Sequence, residues 1–216
     1  MTDPDVAEAV ALLDLRERER LEHLRFARDR RDYAAAHALL RTELSRYAGG
    51  APEAWRFVQD ARGKPAVADV PGAPALSFSL SHARGIVACA IAAGLPVGVD
   101  VEPIDRDVHD MEIARRFFST DETARLARMA GEQERRTHFF ELWTLKEAYA
   151  KAVGLGLAQP WSTIAFEVDA ARRVRFVPTH ADRSAWQFAL CEAVRGTRLA
   201  VAVNIGSQIA FDIDSA

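Results

Sequence analysis

Two acidic residues, Asp100 and Glu102, stand two positions apart in a segment that begins with Val97-Gly-Val99. The alternation of valines with other residues predicts a β-strand, and residues two apart on a strand project from the same face. Two like charges side by side resist ionisation unless a cation lies between them. Carboxylate oxygens at this spacing suit Mg²⁺. Taken alone, the pair is explained more simply by a solvent-facing strand edge whose acids discourage aggregation.

A second group of charged residues lies in the segment 143–151, with the sequence Trp-Thr-Leu-Lys-Glu-Ala-Tyr-Ala-Lys. Trp143, Glu147 and Lys151 are four apart, so they share one face of the predicted helix. Lys146 lies beside Glu147, about 100° around the helix axis. A carboxylate flanked by two ammonium groups suits a metal with a bound phosphate. Taken alone, this segment is explained more simply by an ordinary amphipathic helix with a Glu147–Lys151 ion pair.

Two predicted turns carry further candidates. Ser79-Leu-Ser-His-Ala-Arg-Gly85 places Ser81 and His82 at a strand-to-strand turn, where a histidine can donate to a phosphate or simply hydrogen-bond the turn. Gly63-Lys-Pro65 by itself indicates a turn with an exposed Lys64.

The patterning divides the chain into two halves, each with helices and a small antiparallel sheet. The predicted boundary, Gly94-Leu-Pro96, gives an N-terminal half of residues 1–96 and a C-terminal half of residues 97–216. The expected fold class is α+β. The predicted helices are Val6–Leu13, Arg16–Phe26, Tyr33–Tyr47, Arg106–Phe118, Asp121–Met129 and Glu134–Val153. The predicted strands are Trp55–Val58, Leu76–Leu80, Ile86–Ala92, Val97–Val101, Thr163–Val168, Val174–Val177, Ala185–Cys191 and Leu199–Asn204.

Composition excludes several classes of function. With 216 residues, 49% hydrophobic and 27% charged, the chain falls in the ordinary globular range, and its net charge of −3 gives no case for nucleic acid. No apolar run is long enough to span a membrane and no signal peptide is evident, so we expect a cytoplasmic protein. Cys89 and Cys191 lie in apolar runs and are expected to be buried thiols.

Taken in order, the motifs resemble the Sfp-type 4′-phosphopantetheinyl transferases. The order is Gly-Lys-Pro at 63–65, Ser-Leu-Ser-His at 79–82, Gly-Val-Asp-Val-Glu at 98–102, Arg-Phe-Phe-Ser at 116–119 with Glu122, and Trp-Thr-Leu-Lys-Glu-Ala-x-x-Lys-x-x-Gly-x-Gly-Leu at 143–157. The resemblance implies two similar α/β halves related by a pseudo-twofold axis, with the active site in the cleft between them. It also implies transfer of 4′-phosphopantetheine from coenzyme A to a serine of an apo acyl, polyketide or peptidyl carrier protein, with release of adenosine 3′,5′-bisphosphate. One departure is that relatives usually begin with a strand, whereas this sequence predicts a helix from Val6.

The same resemblance implies roles for individual residues. Asp100, Glu102 and Glu147 match the ligands of Mg²⁺, or of Mn²⁺ in its place. Glu147 also matches the base that removes the serine proton, directly or through water, and Lys151 the residue that meets the pyrophosphate. Contacts with coenzyme A are implied for Arg20, Lys64, Ser81, His82, Lys146 and Lys151, with His37 where relatives often carry an arginine.

The resemblance places the carrier protein near the segment Arg106–Arg128, where Met111, Phe117 and Phe118 are available. It favours a monomer, since two halves in one chain build the cleft that homotrimeric relatives form between subunits. Two other hypotheses remain open: a metal-dependent phosphohydrolase or nuclease, and a non-enzymatic family member that only binds coenzyme A or the carrier.

Overall fold

The computed structural model describes residues 3–59, 63–68, 75–156, 160–177 and 186–205. The chain divides into two compact units, Met1–Pro96 and Val97–Ala216. Each unit combines helices with antiparallel strands, so the α+β class is confirmed. None of the helices in the described ranges has the length and apolar character needed to cross a bilayer.

In the first unit, the long helix α3 supplies the apolar face on which the strands pack. Leu40 and Leu44, one helical turn apart, meet Trp55, Leu76 and Phe78 in a single hydrophobic cluster. The elements of this unit are α1 (Asp3–Leu12), α2 (Leu15–Glu22), α3 (Ala27–Ala48), a 3₁₀ turn (Pro52–Ala54), β1 (Phe57–Gln59), β2 (Pro65–Val67), β3 (Leu76–Ala83) and β4 (Ile86–Ala93).

The turn between β3 and β4 is shorter than the sequence predicts. Arg84 and Gly85 both have positive φ, 46° and 81°, as a two-residue type I′ hairpin turn requires. Ala83 therefore still pairs with Ile86. Ser81 and His82, predicted in the turn, lie within β3.

Helix α3 begins six residues before the predicted start at Tyr33. Its first turns consist mainly of charged residues and so lack apolar periodicity. The segment Pro71–Pro74, predicted as loop, lies outside the described residues, as do Leu157 and Ala185.

In the second unit, helix α6 covers one face of a three-stranded antiparallel sheet. The strand order is β5–β9–β8, and Leu142 and Leu145 of α6 lie in the core with Ala200 and Ala202 of the central strand. Gly154, with φ 74°, ends the helix in the left-handed conformation. The elements of this unit are β5 (Val97–Pro103), α4 (Asp110–Phe117), α5 (Thr120–Arg128), α6 (Glu132–Val153), a 3₁₀ turn (Trp161–Thr163), β6 (Phe166–Val168), β7 (Val174–Phe176), β8 (Trp186–Cys191) and β9 (Thr197–Asn204).

Candidate active site

The two acidic residues of β5 are buried rather than exposed. Asp100 and Glu102 are only 5% and 9% exposed, and they project from the same face of the strand. On the paired strand β9, Asp100 lies opposite Ala200, whose small side chain is fully buried. The alternative of a solvent-facing strand edge is therefore wrong.

An ion pair between Lys151 and Asp100 joins helix α6 to strand β5. The Lys151 Nζ lies 2.8 Å from the Asp100 Oδ1, and the lysine side chain keeps 31% of its surface exposed. Glu147, one turn before Lys151, has no hydrogen bond or ion pair within the part of the chain that the structure describes. The ordinary Glu147–Lys151 helix pair is thus not formed, and Lys151 connects α6 to β5 instead.

The carboxylate of Glu102 is held by two donors. Arg106 donates from its Nη1 to the Glu102 Oε1 at 2.6 Å, and the Trp143 indole N–H donates to the same oxygen at 3.3 Å. The Trp143 ring is itself stacked against Phe139 and Trp161. Arg106 was not among the predicted site residues, although its position four residues after Glu102 could have indicated it.

Glu147 is placed where its carboxyl group resists ionisation. Burial, followed by the charge of Asp100, raises the pKa of Glu147 to about 7, with the Glu102 charge adding to the effect and Lys151 opposing it. Burial and the Asp100 charge likewise raise the pKa of Glu102, against Arg106. The three carboxylates therefore interact with one another. Across the described ranges, no group of three His, Cys, Asp or Glu side chains is arranged to hold an ion.

Lys146, predicted to contact phosphate, has a different environment. Its side chain is fully buried, and its Nζ lies 2.9 Å from the Glu122 Oε2. The same ammonium donates to the carbonyl oxygens of Trp161 and Ile164. Burial lowers the pKa of Lys146, and the Glu122 carboxylate opposes that shift. Lys146 faces the interior of the second unit, which corrects the prediction of a phosphate contact.

Known proteins match both units of the chain. A family model described as the 4′-phosphopantetheinyl transferase superfamily matches residues 96–203, and one described as 4′-phosphopantetheinyl transferase, N-terminal, matches residues 2–94. The chain belongs to the 4′-phosphopantetheinyl transferase superfamily. The predicted family and enzyme class are thereby confirmed.

Individual members of the superfamily resemble most of the chain. The 4′-phosphopantetheinyl transferase psf-1 of Bacillus pumilus is 32% identical over 180 residues, 79% of this chain and 74% of that protein. The 4′-phosphopantetheinyl transferase HetI of a Nostoc species is 34% identical over 158 residues, 73% of this chain and 66% of that protein. A solved holo-(acyl-carrier-protein) synthase of Bacillus anthracis, 17% identical, covers 51% of this chain and 96% of its own with a TM-score of 0.42.

The other residues that the resemblance associates with coenzyme A lie in the first unit. Arg20 is exposed in the last turn of α2, and Lys64 is half-buried just before β2. Ser81 is buried and His82 is exposed, since neighbours on a strand point to opposite faces. Of this pair, only His82 presents its side chain to solvent.

His37 is held in a defined orientation. Its Nδ1 lies 2.7 Å from the Glu17 Oε1, and its ring stacks on Tyr33 at a centroid distance of 4.1 Å. Glu17 also binds the fully buried Arg41, whose Nη2 lies 2.6 Å from the Glu17 Oε2. This cluster was not predicted, because Glu17 lies 20 residues from His37 and 24 from Arg41 in the sequence.

The segment predicted to face the carrier protein is less accessible than expected. Phe118 is 4% exposed and stacks on Phe139. Phe117 is half-buried and packs edge-on against Trp143 and Trp161. Phe118 is therefore a core residue, which corrects the expectation that it is available to a partner.

Proposed function

We propose that this chain transfers the 4′-phosphopantetheine group of coenzyme A to a serine of an apo carrier protein, with release of adenosine 3′,5′-bisphosphate. The observation that carries the proposal is the position of Glu147, whose carboxyl group lies among the charges of Asp100, Glu102 and Lys151 in a chain that belongs to the 4′-phosphopantetheinyl transferase superfamily.

The donor set fits Mg²⁺. Asp100, Glu102 and Glu147 offer hard oxygen ligands, and Mg²⁺ is usually held by one or two carboxylates together with substrate phosphates and waters. A closed cage of three protein ligands is therefore not required. When bound, the ion neutralises the pyrophosphate and stabilises charge on the departing phosphate. We propose Mg²⁺ as the resident ion, with Mn²⁺ able to replace it.

The remaining chemistry belongs to the side chains. Glu147 accepts the proton of the carrier serine, whose oxygen then bonds to the phosphorus that carries the pantetheine. The bond from that phosphorus to the oxygen of the adenosine-side phosphate breaks. Lys151, half-exposed beside Asp100, neutralises the negative charge that develops on the leaving group.

The first unit supplies the residues proposed for the nucleotide. The exposed Arg20 and His82 and the half-buried Lys64 provide cationic and hydrogen-bonding groups for its phosphates. Ser81 lies next to His82 in β3, and its side chain is buried. The proposal includes a monomer acting in the cytoplasm, and the match of both units within one chain supports a single-chain enzyme.

The test is a panel of apo acyl, polyketide and peptidyl carriers incubated with coenzyme A, Mg²⁺ and the protein, and analysed by intact mass. We expect one carrier class to gain the phosphopantetheine mass, and omission of Mg²⁺ to abolish the gain. If coenzyme A is hydrolysed while no carrier changes mass, the protein is a phosphohydrolase and the proposal is wrong.

The role of Glu147 is tested in the same assay. Glu147→Gln keeps the shape of the side chain but removes the proton acceptor and a metal ligand, so we expect a loss of at least about 10³-fold in kcat. The matched control is Glu112→Gln, because Glu112 is an exposed carboxylate on α4. Activity at the wild-type level in Glu147→Gln would refute the assignment.

A further inference from the structure

Lys146 uses all its hydrogen-bonding capacity inside the second unit. A lysine ammonium has three N–H donors and no acceptor. In this structure they meet three acceptors: the Glu122 Oε2 and the carbonyl oxygens of Trp161 and Ile164. None is left for a phosphate.

Glu122 extends these contacts to further elements. Its Oε2 accepts the backbone N–H of Ser119 at 2.8 Å, as part of the capping box that begins α5. Its Oε1 accepts the backbone N–H of Phe166, in β6, at 2.9 Å. The Lys146–Glu122 pair thus joins α6 to α5, to the 3₁₀ turn and to β6 through directional hydrogen bonds.

Stability alone does not explain such a pair. Burying two charges costs desolvation energy, and well-packed apolar residues of similar volume are often as stabilising or more so. Directional hydrogen bonds to several elements, in contrast, fix the rotation of a helix about its axis in a way that apolar packing does not. The Lys146–Glu122 pair is therefore suited to fixing the orientation of α6.

The orientation of α6 determines where the side chain of Glu147 lies. Lys146 and Glu147 are adjacent on α6, so a rotation of the helix moves both. A rotation of about 10° would move a carboxylate lying roughly 6 Å from the axis by about 1 Å. Misplacement by that distance lowers reaction rates on the order of 10²-fold.

We infer that Lys146 is a positioning residue: its buried pair with Glu122 fixes the orientation of α6 and thereby aims Glu147 toward Asp100 and Glu102. The inference rests on the proposed function for the role of Glu147. It replaces the predicted phosphate contact with a role exerted through the neighbouring side chain.

The experiment compares Lys146→Met, Glu122→Gln and the double variant. Lys146→Met alone leaves the Glu122 carboxylate buried without its cation and should lower the unfolding temperature strongly. The double variant carries no buried charge at this position and should recover part of that loss, although the amide of glutamine can accept only one of the two backbone N–H groups that Glu122 accepts. Phe176→Ala provides a destabilised control, since Phe176 is a buried residue of β7 outside this hydrogen-bond network.

Three measurements decide the inference: Mn²⁺ affinity by electron paramagnetic resonance, kcat, and KM for coenzyme A. In the double variant we expect kcat about 10²-fold lower, Mn²⁺ affinity about tenfold weaker and KM unchanged, although the fold is stable. In Phe176→Ala, measured below its unfolding temperature, Mn²⁺ affinity should equal that of the wild type.

Two outcomes overturn the inference. Wild-type kcat and Mn²⁺ affinity in the double variant would show that the Lys146–Glu122 pair stabilises the fold but does not position Glu147. A raised KM for coenzyme A with unchanged Mn²⁺ affinity would show that Lys146 contacts a phosphate of coenzyme A, as the sequence predicted. A wild-type chain that binds Mn²⁺ but modifies no carrier overturns the proposed function alone, and the Mn²⁺ affinities of the variants still decide the inference. A wild-type chain that binds no Mn²⁺ overturns both.

Discussion

Gly98 lies against the backbone of Ala148: a Cβ atom added to Gly98 would be 2.0 Å from the Ala148 carbonyl oxygen and 2.6 Å from the backbone nitrogen of Ala152. Both atoms belong to the helix backbone, so no side chain can move aside. Helix α6 therefore rests on β5 at a distance that only glycine permits. Asp100 and Glu102 follow on the same face of β5, so this close approach sets how near the helix lies to both carboxylates.

Gly98→Ala is expected to push α6 away from β5. Overpacking of this kind should cost at least about 2 kcal/mol in the free energy of unfolding, and the displaced helix should lower transfer activity by more than about 10²-fold. Thermal unfolding and carrier mass analysis measure the two effects. In Gly131→Ala, the added Cβ would lie 3.5 Å from the Glu134 side chain, an ordinary contact, so activity should remain. Wild-type stability in Gly98→Ala would contradict the packing argument.

The sequence predicted the strand β5 and the helix α6, because strand and helix periodicities are local properties. It did not predict the partners of those residues. Lys151 pairs with Asp100 across 51 residues, and Gly98 meets a helix that begins more than thirty residues later. Such contacts depend on how the helix docks, which no local pattern determines.

The incorrect assignment of Lys146 has the same cause. A lysine beside a glutamate that is predicted to bind a metal suggests a phosphate contact from spacing alone. Its carboxylate partner, Glu122, is the acidic residue of a capping box at the start of α5, and in the sequence it stands out only as a part of the family motif. The buried environment of Lys146 becomes evident only once α5, the 3₁₀ turn and β6 are placed around it.

Trp143→Phe should weaken metal binding without disturbing the aromatic core. Phenylalanine preserves a ring beside Phe139 and Trp161 but removes the N–H that reaches the Glu102 Oε1 at 3.3 Å. Loss of this long hydrogen bond is expected to cost about 1 kcal/mol, or about fivefold in Mn²⁺ affinity. The matched control is Trp161→Phe, because the Trp161 indole N–H is buried without a partner among the described residues. Equal effects of the two substitutions would argue against the role of the Trp143 hydrogen bond.

Acidification is expected to destabilise the first unit through Glu17. Burial alone would raise the pKa of Glu17, but hydrogen bonds from His37, from the backbone N–H of Asp14 and from Arg41 outweigh it and lower the pKa. A carboxylate with a lowered folded-state pKa contributes stability above its unfolded value of about 4.5, and that contribution is lost as the pH falls through the folded value. Hydrogen exchange of α3 between pH 7 and pH 3 should show progressive loss of protection.

A glutamine at position 17 separates this contribution from general acid effects. Glu17→Gln should be less stable than the wild type at pH 7, and the difference should shrink toward pH 3. Glu43→Gln serves as the control, because the pair of Glu43 with Arg46 lies at the surface and such pairs contribute little. If the wild type and Glu17→Gln lose protection in parallel from pH 7 to pH 3, the cluster does not act in this way.

Glu147 should show the opposite dependence on pH when the protein is kept free of metal with EDTA. Its folded-state pKa is raised from 4.5 to about 7, so the native state binds the proton more tightly than the unfolded state does. The stability that this provides is present below about pH 4.5 and is lost as the pH rises through 7.

Glu147→Gln cannot ionise, so its unfolding temperature in EDTA should exceed that of the wild type at pH 8 and approach it at pH 5. Glu132→Gln, at an exposed position of the same helix, should follow the wild type. Equal unfolding temperatures of Glu147→Gln and the wild type at both pH values would show that burial and the Asp100 charge do not raise the pKa of Glu147 in the metal-free protein.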